Sequence, residues 1–242
     1  VSRRREPTSK RVFDLFVASA LLIATAPLAA VAAALVKATS RGPVLYRASR
    51  AGRDGQEFAM LKFRTMRTGL DAVDRRVTAP DDDRVTPVGA LLRRTKLDEL
   101  PQLINVLRGD MSVVGPRPED IEIVRRHYTD RQRRTLEVRP GIASSAELRW
   151  YPDLTHHDPP PPGMPMQEWY ISRHLPAELE ESLTYLERRN LLLDLSIVAR
   201  LAWNTVRYAF GEPPRQPFTP VAAPDHDPEP PLDDPEPPPE PS

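Results

Sequence analysis

The chain has 242 residues, 40% of them hydrophobic and 28% charged, which suits one folded domain with appendages. Cysteine is absent, which excludes disulfides, thiolate nucleophiles and Cys-based zinc sites, so any metal must be held by oxygen or histidine. The zero net charge hides an asymmetry: residues 211–242 carry eight acids against Arg215, leaving residues 1–210 at +7 and suited to an anionic partner such as a phospholipid surface, a nucleotide or a phosphorylated lipid.

In chain order, residues 1–9 form a basic leader with Arg3, Arg4 and Arg5, and residues 10–41 read as a membrane-embedded helix. Within it, Leu15 to Val36 is an uncharged apolar run of 22 residues, and ~20 residues suffice to cross a bilayer. Basic residues flank it on both sides, Lys10 and Arg11 before and Lys37 and Arg41 after, whereas a simple span concentrates them on one side. Pro27 near the middle removes a backbone hydrogen bond and favours a bend. A straight span, a re-entrant helix that enters and leaves on one face, and a cleavable signal peptide are all consistent with these residues.

Next, GPVLYRASRAGRDGQEFAMLKFRTM reads as two short strands around the tight-turn dipeptide Asp54-Gly55. Lys62 and Arg64 share one face at strand period two, where they are either solvated or phosphate contacts. Residues 69–87 read as a loop containing Asp81-Asp82-Asp83, whose acids point different ways and are assigned no metal. A short helix follows over 88–95.

The stretch LDELPQLINVLRGDMSVVGPRP, Leu97 to Pro118, carries the strongest candidate site. Leu97, Leu100, Leu103, Ile104 and Leu107 recur at helical spacing and are expected to face a core, with Gln102 and Asn105 turned elsewhere. Pro101 fits an early helical position, so the helix is expected to begin near Asp98. Asp98 and Glu99 stand side by side in its first turn. They are either an N-cap and a favourable dipole charge or a functional pair whose repulsion is offset by a cation, a metal or a substrate phosphate. Arg93, Arg94, Arg108 and Arg117 nearby favour an anion.

Ile121 to Glu137 reads as one arginine-rich amphipathic helix, with His127 on its surface. His156 and His157 fall in a proline-rich loop and are assigned no metal. From about Pro176 to Phe210 the chain reads as helical, and LLLDLSIVARLAWNTVRYAF suits either a membrane surface or packing on the core. Residues 211–242 hold 13 of the 29 prolines and are expected to be disordered.

Taken in order, KRVFDLF, a proline within the apolar run, SRGPVLYR, KFRTM, LDELPQLINVLRGDMSVVGPRP and RPGI resemble the bacterial sugar transferases. These are monotopic polyprenyl-phosphate phosphoglycosyl transferases, and the resemblance covers roughly residues 10–210. It implies transfer of a sugar 1-phosphate from a UDP-sugar to polyprenyl phosphate, giving polyprenyl diphosphosugar and UMP at the start of cell-surface glycan synthesis. It implies Asp98 as nucleophile of a covalent phosphosugar intermediate, Glu99 as the ligand of Mg²⁺, and Lys62, Arg64, Arg94 and Arg117 as phosphate contacts. It also implies a helix that re-enters, a catalytic domain on the cytoplasmic face of the bacterial inner membrane, membrane lipids as partners and no nucleic acid.

Two departures stand out. Ala26 precedes Pro27 where the family carries serine, leaving Thr25 to bond a freed carbonyl, and ASSAELRW follows RPGI where Thr-Gly is commoner. Rival functions are a membrane-bound nucleotide-sugar pyrophosphatase using the same acids and Mg²⁺, and a non-catalytic membrane-anchored scaffold. The expected fold is α+β and mainly helical: a re-entrant membrane helix, a small β-hairpin and amphipathic interfacial helices around a catalytic domain over residues 42–210. Oligomeric state and sugar identity are left open.

Overall fold

A computed structural model describes residues 7–67, 82–149 and 160–211. The expectations for most of the basic leader, Asp81, His156, His157 and the tail from residue 212 lie outside the described residues.

The first helix, α1, spans Thr8–Thr39 and runs without interruption through Pro27. At 32 residues it is about 48 Å long, and it is long and apolar enough to cross a membrane by length and composition. Little of it is covered: Phe16, Ile23 and Val31 are exposed. Thr25 Oγ1 donates to the Leu21 carbonyl at 2.7 Å. The carbonyl left without a donor by Pro27 is that of Ile23, four residues back, so Thr25 does not mend that gap.

Both ends of α1 are fastened to the same globular body. Near its start, Arg11 donates to the carbonyls of Val106 and Leu107 at 2.7 and 3.0 Å, a cation at the C-terminal end of a helix where the dipole favours it. Asp14 is buried and accepts from Ser112 Oγ at 2.8 Å and from the Val113 N–H at 3.2 Å. Near its end, Ala32 and Val36 pack with Phe63 and Leu92.

Strands β1 (Leu45–Ala51) and β2 (Glu57–Phe63) pair antiparallel from Leu45 opposite Phe63 to Ala51 opposite Glu57. Asp54 and Gly55 both take positive φ in the connecting turn, which explains the Asp-Gly signal. Helix α2 covers Pro87–Arg94, close to the expected range, and Thr86 caps it through the Gly89 N–H at 2.9 Å.

The acid pair is not in the helix that follows. Leu97–Glu99 forms a separate 3₁₀ turn entered through Lys96 at φ 57°, and α3 spans Gln102–Arg108 with Pro101 at its N-cap. Leu103 is buried as expected, but so are Gln102 and Asn105, at 2% and 0% exposure. Asn105 replaces water with protein partners: its Oδ1 accepts from the Leu61 N–H at 2.9 Å, and its Nδ2 donates to the Ala59 carbonyl at 2.9 Å. Apolar periodicity therefore misplaced the two amides.

Strand β3 (Ser112–Val114) pairs in parallel with β4 (Gly141–Ala143), a second small sheet that the sequence did not reveal. A Cβ on Gly141 would lie 2.1 Å from the Gly115 nitrogen. That contact is prohibitive, so RPGI and VVGPRP need glycine where their backbones meet. The expected single helix over 121–137 is broken into α4 (Ile121–His127), α5 (Asp130–Arg133) and a 3₁₀ turn Arg134–Glu137. Tyr128 is extended and buried, and Thr129 opens α5 with a capping box to Gln132. His127 is exposed, as expected.

Two short helices, α6 (Ser145–Arg149) and α7 (Met166–Trp169), precede a π-helical turn and two longer helices, α8 (Leu175–Arg188) and α9 (Leu191–Ala209). The main core joins Ala18 of α1, Met60 of β2, Val106 of α3, Val113 of β3, Tyr185 of α8 and Ile197 of α9. Helix α9 packs one face on the core, as one of its two readings expected, and leaves apolar side chains exposed on the other. Ile197 and Leu201 are buried, while Leu192, Trp203 and Phe210 are exposed at 80%, 64% and 86%. The architecture is thus mainly helical, with a hairpin, a second small sheet and an apolar N-terminal helix.

Candidate active site

Asp98 and Glu99 sit on the 3₁₀ turn between α2 and α3, and side chains from several elements converge on them. From β2, Lys62 Nζ reaches Glu99 Oε1 at 2.9 Å. Asn105 makes this meeting reproducible, because it clips α3 to the backbone of β2 at Ala59 and Leu61. From the α2 end, Arg93 donates through Nε to Thr65 Oγ1 at 2.8 Å. Burial lowers the Arg93 pKa, and the Asp98 carboxylate is the foremost charge opposing that shift.

The two acids differ in electrostatics. Burial, and then the adjacent Glu99 charge, push the Asp98 pKa upward against Lys62, Lys96 and Arg93. Glu99 moves the other way: burial would raise it, but Lys62, Lys96 and Arg117 together outweigh that and depress it. Asp98 is 6% exposed, and its Oδ1 has no hydrogen-bond partner. A buried carboxylate oxygen without a partner is costly unless a ligand meets it. One acid is therefore firmly ionised and paired; the other is poorly solvated and free to react or coordinate.

Two further charges complete the surroundings. Lys96 Nζ contacts Glu147 Oε1 of α6 at 2.7 Å. Burial would lower the Lys96 pKa, but Glu147 and Glu99 reverse this and push it up. Arg117 follows β3 in the Pro-Arg-Pro segment and keeps an exposed surface. Its surroundings disfavour charge by burial, yet Glu178, Glu147 and Glu99 raise its pKa, so its guanidinium stays charged.

The sequence-predicted phosphate contacts divide. Lys62 acts on both acids and Arg117 on Glu99; Arg94 is engaged at the end of α9, and Arg64 holds Ser40 with one nitrogen while its Nε and Nη1 are buried without partners. Arg64 is buried with its Nη2 on the carbonyl and hydroxyl of Ser40, at 2.8 and 2.7 Å, where it ties down the chain leaving α1. Arg94 directs Nη2 to the carbonyls of Tyr208 and Ala209 at 3.4 Å and lies 5.8 Å from the Tyr208 ring centroid. Arg93 takes the position expected of its neighbour. Adjacent helical residues diverge by about 100°, so only one of the two can face the acids. Lys96 and Glu147 were missed; their signals were a lysine immediately before the acid turn and a lone acid in the unusual ASSAELRW segment.

Among the described residues no group of three or more acidic or histidine side chains gathers to hold a metal. Asp98 and Glu99 are the available oxygen donors. That set is incomplete for a dedicated metal cage but fits Mg²⁺, which commonly takes one or two carboxylates and completes its shell with phosphate and water. The unpartnered Asp98 oxygen is consistent with that fit.

Among known proteins, the UDP-glucose:undecaprenyl-phosphate glucose-1-phosphate transferase of Caulobacter vibrioides is 44% identical over 146 residues, covering 58% of this chain and 53% of that protein. The transferase of the same name from Klebsiella pneumoniae is 37% identical over 192 residues, covering 78% of this chain and 38% of that protein. The exopolysaccharide production protein PSS of Rhizobium leguminosarum bv. phaseoli is 42% identical over 151 residues, covering 58% of this chain and 73% of that protein. The chain thus spans about half of the Caulobacter relative and less of the Klebsiella one. The bacterial sugar transferase family matches residues 5–208, which include α1, the hairpin, the acid turn and all but the last residue of α9, and the chain belongs to that family.

Proposed function

We propose that the protein transfers a sugar 1-phosphate from a UDP-sugar to a polyprenyl phosphate in two steps through Asp98. The observation that carries this reading is the Asp98 carboxylate: buried, with an unpartnered oxygen, and surrounded by the charges of Lys62, Lys96 and Arg93. The relatives' names support the two substrate classes.

In the first step a carboxylate oxygen of Asp98 attacks the sugar-bearing phosphorus of the donor. The bond from that phosphorus to the bridging oxygen breaks, and UMP departs with the bridging oxygen and its electron pair. In the second step an oxygen of polyprenyl phosphate attacks the same phosphorus, and Asp98 leaves as a carboxylate. Neither step consumes water.

An anion attacking an anion needs positive charge fixed in advance, because preorganised charge is worth more in a water-poor site. Lys62, Arg93 and Arg117 supply it from three different elements. When Mg²⁺ is bound, with Glu99 and Asp98 as its protein donors, it neutralises phosphate charge and polarises the phosphoryl oxygens. Lys62 holds Glu99 in place at 2.9 Å.

The anchoring of α1 supports a monotopic arrangement in which the helix enters and leaves on one face. Arg11 and Asp14 near its start and Ala32 and Val36 near its end all grip one globular body. A straight span would carry one of those ends across the bilayer. The exposed apolar side chains of α1 and α9 then meet lipid, and the acid pair works at the cytoplasmic face of the bacterial inner membrane.

The test is UMP release by purified protein supplied with UDP-glucose or another UDP-sugar, Mg²⁺ and undecaprenyl phosphate. Release that requires the lipid, stops on chelation with EDTA and returns with Mg²⁺ supports the transferase. Full release without lipid identifies a pyrophosphatase instead, and activity unaffected by Asp98→Asn would remove Asp98 from the reaction.

A further inference from the structure

A pocket of about 190 Å³ opens between α1 and α9 beside the acid turn. Its walls are largely apolar, with Leu21 from α1, Leu100, Ile142 and Leu201, whereas Lys96, Glu99 and Glu147 supply its charged lining. Asp98, Lys62, Arg93 and Arg117 do not line it. Sites that enclose a whole drug-sized ligand run ~300–1,000 Å³, so this one suits the end of a longer molecule.

Lys96 is the cation among the residues that line this pocket. Its backbone is left-handed at φ 57°, an unusual conformation for a side chain of this size. Its Nζ pairs with Glu147 at 2.7 Å, and Glu147 and Glu99 are the leading charges that keep it ionised.

We propose that this pocket seats the phosphate end of a prenyl phosphate acceptor, and that Lys96 is the cation that receives its phosphate during the second transfer. The proposal rests on the transferase reading and concerns only its acceptor half. Of the two substrates, only the acceptor joins a hydrocarbon chain to a phosphate; the donor is polar throughout. A largely apolar pocket whose lining includes a lysine matches the acceptor on both counts. A second wall argument comes from α1: Leu21 and Thr25 belong to the helix that meets lipid, so a chain dissolved in the bilayer has a direct approach.

The phosphate would arrive between Glu99 and Glu147, and Coulomb repulsion from both must be offset at that point. Lys96 does so by turning its ammonium from Glu147 toward the incoming phosphate, whose charge it offsets. An acceptor oxygen then forms a bond to the phosphorus carried on Asp98. The bond from that phosphorus to the Asp98 oxygen breaks, and its electrons return to the carboxylate.

The experiment compares half-saturation for donor and acceptor in the full chain. Lys96→Asn removes the cation while suiting the left-handed backbone, Lys96→Arg keeps the charge, and Ala202→Trp crowds the slot from an exposed position on its wall. For Lys96→Asn and Ala202→Trp the concentration of undecaprenyl phosphate giving half-maximal rate is expected to rise about tenfold, the scale of one lost charged contact. In Ala202→Trp the value for the UDP-sugar stays near that of the parent, and Lys96→Arg recovers most of the acceptor affinity lost in Lys96→Asn. Donor and acceptor values rising together in Ala202→Trp, or an acceptor value that does not move in either variant, would overturn the proposal. The underlying two-step reading is checked separately by exchange of labelled UMP into UDP-sugar without acceptor, and its absence in the parent chain would refute that reading and the proposal with it.

Discussion

Asn105 and Leu61 are joined by a buried hydrogen bond of 2.9 Å, from the Leu61 N–H to the Asn105 carboxamide oxygen. The same side chain donates to the Ala59 carbonyl at 2.9 Å and to Asp110 Oδ2 at 3.0 Å. It thereby sets the register between α3 and β2 one residue before Lys62, and so fixes how Lys62 meets Glu99. Asn105→Ala leaves a backbone N–H and a carbonyl buried without partners. The expected loss is about 2–6 kcal/mol, from one to three for each of the two orphaned groups, read by thermal denaturation in detergent, together with a fall in UMP release. A melting temperature equal to the parent's would show that the clip is dispensable.

Arg93 and Arg94 should separate cleanly. Arg93 is held by Thr65 and feels the Asp98 charge, whereas Arg94 covers the end of α9 beside Tyr208. Arg93→Met is expected to reduce turnover about a hundredfold, the scale of one lost electrostatic contact to the developing charge. Arg94→Met should retain turnover within about twofold, because exposed charges contribute little. Equal losses in both variants would move the site away from Arg93.

Lys10 bridges two buried carboxylates, Asp14 and Asp194, at 2.9 Å each. Tyr185 completes the network by donating to Asp194 Oδ1 at 2.8 Å. Removing one partner from a buried ion pair typically costs about 3–5 kcal/mol. Lys10→Met is therefore expected to lower the melting temperature sharply, while Lys10→Arg loses less. This network joins the start of α1 to α9, so its loss should also loosen the pocket between them.

Much of the fold was legible in the chain, because α1, the hairpin and α2 are specified locally. Leu15–Val36 is too apolar to be anything but a helix in lipid or core, and Asp54-Gly55 supplies the positive φ that the turn uses. The contacts made at long range were not legible. Gln102 and Asn105 are polar, and only tertiary partners on β2 make Asn105 a core residue. Tyr128 broke the helix expected over 121–137 because its burial, together with the capping box at Thr129, outweighed an amphipathic period.

The acid pair shows the same division. Adjacent carboxylates amid arginines marked Asp98 and Glu99, but Pro101 suggested a helix start four residues too early. Which arginine faces the acids depends on the orientation of α2 against Thr65, and no spacing rule distinguishes Arg93 from Arg94. Lys96 and Glu147 are 51 residues apart and meet only through the fold.

The arrangement of α1 is open to chemical test because the chain has no cysteine. Single cysteines at Thr8 and Thr39, both exposed at the two ends of α1, should react with a membrane-impermeant thiol reagent from the same side in sealed vesicles. Labelling from opposite sides would establish a span and remove the monotopic arrangement.

The central claim is that Asp98 carries the phosphosugar, and trapping tests it most directly. The purified protein is incubated with Mg²⁺ and UDP-sugar labelled in the sugar, without acceptor, then quenched in acid and its intact mass and bound label measured. A mass increase of one sugar phosphate that is removed by undecaprenyl phosphate and is missing from Asp98→Asn is the expected result. An unlabelled parent chain that still forms lipid product, or label that survives in Asp98→Asn, would contradict the account.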